Sequence, residues 1–138
     1  MCLLYRTASF PKPTIRQWRT RVSATHKLNL STHLEFVETS VFNQFVKREL
    51  GEDALRALQS ELVVHPETGA VMTGSGGARK MRWGGKGSGK SGGYRIIYYF
   101  APKDQRCYLL LGFKKGEQDN LSPAQLKTLC EYIKLHLK

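Results

Sequence analysis

Tyr94-Arg95-Ile96-Ile97-Tyr98-Tyr99-Phe100, Pro102-Lys103-Asp104-Gln105 and Cys107-Tyr108-Leu109-Leu110-Leu111-Gly112-Phe113 decide the fold. The outer two pieces are aromatic, β-branched and leucine-rich runs of strand length, and the piece between them is made of turn residues. Together they predict an antiparallel hairpin. Just upstream, Ala78-Arg79-Lys80-Met81-Arg82-Trp83 alternates, with Lys80 and Arg82 on one face and Arg79, Met81 and Trp83 on the other. This is a third strand beside the hairpin.

Downstream, Ser122-Pro123 starts a helix, with Ser122 as N-cap, Pro123 at the first helical position and Gln125 completing a capping box. Leu126, Leu129, Cys130 and Ile133 form its apolar stripe. Upstream, a helix from Asp53 carries Leu55, Leu58 and Leu62 on one stripe and ends before Pro66. Another precedes it, capped by Ser40, with Phe42, Phe45 and Val46 at i, i+3 and i+4 and Gly51 as its stop. His33–Thr39 reads as a short strand with Leu34 and Phe36 on one face. The order β-α-α-β-β-β-α predicts an α+β domain over residues 33–138, a small, largely antiparallel sheet with the two N-terminal helices packed on it. Residues 1–32 read as a flexible basic tail. They contain no Asp or Glu, and Phe10, Ile15, Trp18 and Val22 keep no period. A mitochondrial transit peptide has a similar composition.

The chain has 138 residues, 41% of them hydrophobic, enough for one domain with its own core. Its 22 Lys and Arg stand against 11 Asp and Glu, a formal net charge of +11. Such an excess repels itself in a compact state and points to a polyanionic partner. Nucleic acid comes first, an anionic membrane surface or an acidic protein second. Cys2, Cys107 and Cys130 form no CxxC pair and fit a reducing compartment, the last two as small core residues. No apolar run reaches membrane-spanning length, and Cys2–Tyr5 is too short for a secretory signal. A cytoplasmic protein is the expectation.

Gly84-Gly85-Lys86-Gly87-Ser88-Gly89-Lys90-Ser91 fits the nucleotide-binding pattern GxxxxGK[ST] at every position. That loop works only when a helix follows the Lys-Ser pair, so that helix amides and dipole hold the phosphates. Here Gly92-Gly93 and a strand follow. The match is therefore coincidental, and no nucleotide cofactor is expected. The stretch reads as a hairpin connection with Lys86 and Lys90 at its tip and glycines that allow close backbone approach. It suits an irregular phosphate backbone; a plain solvated loop is the alternative.

No acidic residue lies between Glu67 and Asp104, an interval holding Arg79, Lys80, Arg82, Lys86, Lys90, Arg95 and Lys103. Strand pairing can bring Arg95 beside Lys80 and Arg82, with Tyr98 or Tyr99 at the edge of the patch. Lys114 and Lys115 end the next strand. Cations carried on strands are rigidly placed, which binding alone does not require. Metal-free RNA cleavage needs a base for the 2′-hydroxyl, fixed charge for the pentavalent phosphorane and an acid for the 5′-oxygen. Arg82 and Arg95 suit the second part. Lys80 suits the first, because flanking guanidiniums disfavour a charged neighbour. His26, His33, His65 and His136 are scattered, and no His/Cys/Asp/Glu cluster has metal-ligand spacing. Neither a histidine pair nor a metal centre is expected.

Gly74–Trp83 followed by Gly85–Phe100 resembles the RelE/HigB toxins, in particular the HigB branch with a Gly-rich loop between its second and third strands. Tyr108–Leu111, Lys114-Lys115-Gly116-Glu117 and Leu121-Ser122-Pro123 match that branch's closing pattern, so the likeness runs from about Phe36 to the C-terminus. It implies the toxin of a type II toxin–antitoxin system, a metal-independent, ribosome-dependent endoribonuclease that cleaves mRNA. The implied partners are mRNA, the ribosome and a cognate antitoxin, HigA-like with a helix-turn-helix domain. The resemblance puts the catalytic residues at Lys80, Arg82 and Arg95, with a further basic position near Lys115. Gly116 stands where some members have arginine, and Leu121-Ser122 where some have tyrosine. The general acid is therefore expected at Tyr99 or Lys115, and RNA contacts at Arg79, Lys86, Lys90 and Lys114. Two other functions stay open: a ParE-like toxin, which shares the fold but inhibits DNA gyrase, and a non-catalytic RNA-binding module.

Overall fold

The computed structural model describes residues 19–22, 34–84, 93–116, 118 and 120–138. Its strands are β1 (Arg19–Val22), β2 (Glu35–Glu38), β3 (Ala70–Val71), β4 (Arg79–Trp83), β5 (Tyr94–Ala101) and β6 (Arg106–Lys114). The helices are α1 (Ser40–Phe45), α2 (Glu52–Val64) and α3 (Pro123–His136). One sheet runs β1-β2-β6-β5-β4-β3. Every neighbouring pair is antiparallel except β2 and β6, which run parallel. The α+β class and the expected element order hold, with two short strands added. β3 precedes the expected third strand. β1 pairs with β2 inside the segment that the sequence leaves without secondary structure; the rest of residues 1–33 lies outside the described residues.

Thr39, not Ser40, caps α1: its Oγ1 accepts from the Phe42 N–H (3.0 Å) and donates to the Leu110 carbonyl (2.7 Å). A cap of this kind contributes about 1 kcal/mol. The helix widens into a π turn, Val46–Leu50, closed by Gly51 N–H on the Val46 carbonyl at 2.8 Å. Gly51 then turns the chain into α2 at a φ of 85°, where a β-carbon would be strained.

Helical spacing puts Phe42, Phe45, Val46 and Leu50, with Leu55, Leu58 and Leu62 of α2, onto one face of the sheet. There they meet Phe36, Ile96, Tyr98, Cys107 and Leu109. The fit is close at Gly112, where a β-carbon would stand 2.3 Å from the Phe45 ring. The two N-terminal helices thus pack side by side as expected. α3 takes the opposite face, and its Leu129, Tyr132 and Ile133 pack on Val37, Ile97, Leu110, Leu111 and Phe113. It starts with the expected capping box between Ser122 and Gln125. Leu126 and Cys130 are only half-buried and lie against the turn at Gly74 and Gly76. Among the described residues no helix is long and apolar enough to cross a membrane.

Candidate active site

The register of β4 on β5 pairs Lys80 with Ile97 and Arg82 with Arg95, and the register of β5 on β6 pairs Arg95 with Phe113. Ile97 and Phe113 belong to the core under α3. Strand alternation therefore puts Lys80, Arg82 and Arg95 on that same face. Directly opposed residues have β-carbons roughly 4.5–5.5 Å apart, and like charges so placed repel. An anion between them relieves that repulsion. The three cations, with Met81 and Asn120, line an open cavity of about 280 Å³. Arg82 is exposed and Lys80 half-buried, whereas Arg95 keeps only 8% of its surface in water. Among the described residues no ion pair of the Arg95 guanidinium is seen, and its strand pairing uses the backbone alone. A phosphate oxygen would supply a counter-charge.

Asn120 was not foreseen from the sequence. The Lys80 ammonium donates to its Oδ1 at 2.5 Å. Forty residues separate the pair, and no local pattern announces where the loop before α3 will land. That loop is itself tied down: Gln118 Nε2 donates to the Asn120 carbonyl (2.8 Å) and to Gln125 Oε1 (2.7 Å).

Other expected residues stand elsewhere. Arg79 pairs with Tyr98 and so faces α1 and α2, where its guanidinium holds Glu67 Oε2 and the Gly69 carbonyl, each at 2.8 Å. It braces the turn after α2 and does not reach the cavity. Tyr98 does not edge the cationic patch either: it is fully buried on that same face, accepting from Gly69 N–H and donating to the Pro66 carbonyl. Tyr99 does face α3, but it pairs with Tyr108, four residues along β5 from Arg95, about 13 Å at strand rise. Burial, then the neighbouring Tyr108 and Asp104, push its hydroxyl above the usual phenol range. Lys114 pairs with Tyr94, whose ring packs on Phe45, and so projects toward the α1 side. Lys115 is exposed in the turn just past β6, at the end of the sheet where Arg95 lies; its N–H bonds the Gly93 carbonyl (3.1 Å).

Lys86 and Lys90 lie outside the described residues. The chain re-enters at Gly93 and goes straight into β5, so the helix that a nucleotide-binding loop requires does not follow. Among the described residues no three or more His, Cys, Asp or Glu side chains gather where they could hold a metal ion. The charged side chains among the described residues that line the cavity are Lys80, Arg82 and Arg95. A comparison with protein families matches residues 36–138, everything from β2 onward, to the RelE toxin of the RelE/RelB toxin–antitoxin system.

Proposed function

The chain belongs to the RelE toxin family, and from that premise we propose that it is a metal-independent endoribonuclease that cuts messenger RNA on the ribosome. The Gly-rich stretch between β4 and β5 supports the HigB-like branch. The observation that carries the reading is the opposed Arg82–Arg95 pair, two cations on rigid strands with no carboxylate among the described residues that line their cavity. Rigid placement matters because charge aimed at a transition state needs no reorganisation when the reaction occurs.

In this mechanism one phosphodiester of the message lies in the cavity. Lys80, as the amine, takes the proton of the 2′-hydroxyl while the 2′-oxygen bonds to phosphorus. Arg82 and Arg95 donate to the phosphoryl oxygens as negative charge builds on them. The bond from phosphorus to the 5′-oxygen then breaks, and that oxygen takes a proton. Lys115 is the proposed donor, since Tyr99 stands too far along β5 to reach the same phosphate. The products are a 2′,3′-cyclic phosphate and a 5′-hydroxyl end. Lys86, Lys90 and Lys114 are proposed to contact the RNA backbone beyond the cavity.

The family implies a cognate antitoxin. For a chain of net charge +11 we infer an acidic or amphipathic segment, carried by a HigA-like helix-turn-helix protein in the cytoplasm. Primer extension on a message during in vitro translation tests the function. Cuts within codons support the interferase. An intact message with stalled gyrase would mean a ParE-like toxin, and neither effect a binding module.

A further inference from the structure

We propose that Asn120 is a positioning residue for Lys80, and that its place in the cavity is set by the N-terminal cap of α3. The inference rests on the endoribonuclease reading for what Lys80 does, but not for how Lys80 is held. Lysine has four rotatable side-chain bonds, and an ammonium at the mouth of an open cavity, its bond to exposed Asn120 within reach of water, has many places to go. Lys80 faces two guanidiniums and no carboxylate among the described residues lining the cavity, so electrostatics push it outward. The only partner holding it among those residues is the side-chain oxygen of Asn120, at 2.5 Å.

Asn120 is braced in turn. Gln118 Nε2 bonds the Asn120 carbonyl and Gln125 Oε1, and Gln125 Oε1 also accepts the Ser122 N–H at 2.9 Å. The Ser122 hydroxyl returns the bond by accepting Gln125 N–H. Hydrogen bonds from the first turn of α3 thus fix the backbone of Asn120, and its side-chain oxygen in turn holds the ammonium of Lys80. One N–H committed to Asn120 fixes the direction of the remaining valences on Nζ. The lone pair of the amine can then meet a 2′-hydroxyl with little loss of orientation. Misplacing a reacting group by about 1 Å costs up to a hundredfold in rate.

Two readouts test this on the full chain. The first is the ¹⁵Nζ resonance of Lys80, recorded with its proton exchange rate. Asn120→Ala should broaden it or speed its exchange at least severalfold, with Gln118→Ala acting in the same direction and less. The second is single-turnover cleavage of a ribosome-bound message by the wild type, Asn120→Ala, Lys80→Ala and the double variant. Asn120→Ala should be about tenfold to a hundredfold slower, and the double variant no slower than Lys80→Ala alone. Multiplying losses in the double variant, or a Lys80 resonance unchanged by Asn120→Ala, would overturn the proposal. A message left uncut by the wild type would instead overturn the endoribonuclease reading. The Lys80 resonance would then still decide whether Asn120 holds the ammonium.

Discussion

On the face covered by α1 and α2, side chains fill the layer from Phe36 to Phe45, Tyr98 bridges Gly69 and Pro66, and Arg79 clamps Glu67. On the face under α3 the layer is apolar around Ile97, Leu110 and Ile133, then gives way to Lys80, Arg82 and Arg95, with no carboxylate among the described residues lining the cavity. The same two strands, β4 and β5, serve both faces. Charge on them is paired on the α1 and α2 side, by Glu67, and meets no carboxylate among the described residues on the cavity side. A site that is costly in the free protein is the usual trade between stability and activity.

The comparison breaks most severely at Phe45, whose ring fills the space over Gly112. Phe45→Ala should cost about 3–5 kcal/mol in urea unfolding. A loss below 1 kcal/mol would show that this face is not the stabilising one. Next comes Arg95→Ala, which removes a buried guanidinium from the other face. Cleavage should fall about a hundredfold, equivalent to roughly 3 kcal/mol, while thermal stability stays level or rises. Arg79→Ala removes a cation one pleat away and sharpens the contrast by doing the opposite. It should lower stability by about 1 kcal/mol and leave the single-turnover cleavage rate within about threefold of wild type. The smallest effect separates the two cysteines. Burial pushes the thiol of fully enclosed Cys107 up, while Cys130 is half-buried on α3. A maleimide mapped by mass spectrometry should label Cys130 in the native protein and Cys107 only on unfolding; early labelling of Cys107 would contradict the closed layer.

Much of this contrast was legible in the residues. Alternation in Arg79–Trp83 puts Lys80 and Arg82 on one face, and the hairpin signal after it allows Arg95 to join them; the register Arg82↔Arg95 decides that it does. The capping box at Ser122 and the stop at Gly51 are local chemistry and stand as read. What no local pattern carries is distance along or across the sheet. Tyr99 has the right parity but the wrong position on its strand. The bond of Arg79 to Glu67 is made by a turn folding back after α2. Asn120 reaches Lys80 through tertiary structure alone. The side on which α3 packs, and the parallel pairing of β2 with β6, likewise come from chain crossings that no local pattern encodes.

The most direct test of the cationic face as the cleavage site is a paired measurement on Arg82→Ala, chosen because Arg82 is exposed and its loss leaves the core intact. Cleavage of a translated message is followed by primer extension beside a thermal melt of the same preparation. The account predicts an unchanged melt and cleavage about a hundredfold slower than wild type. An unchanged melt with undiminished cleavage would contradict it.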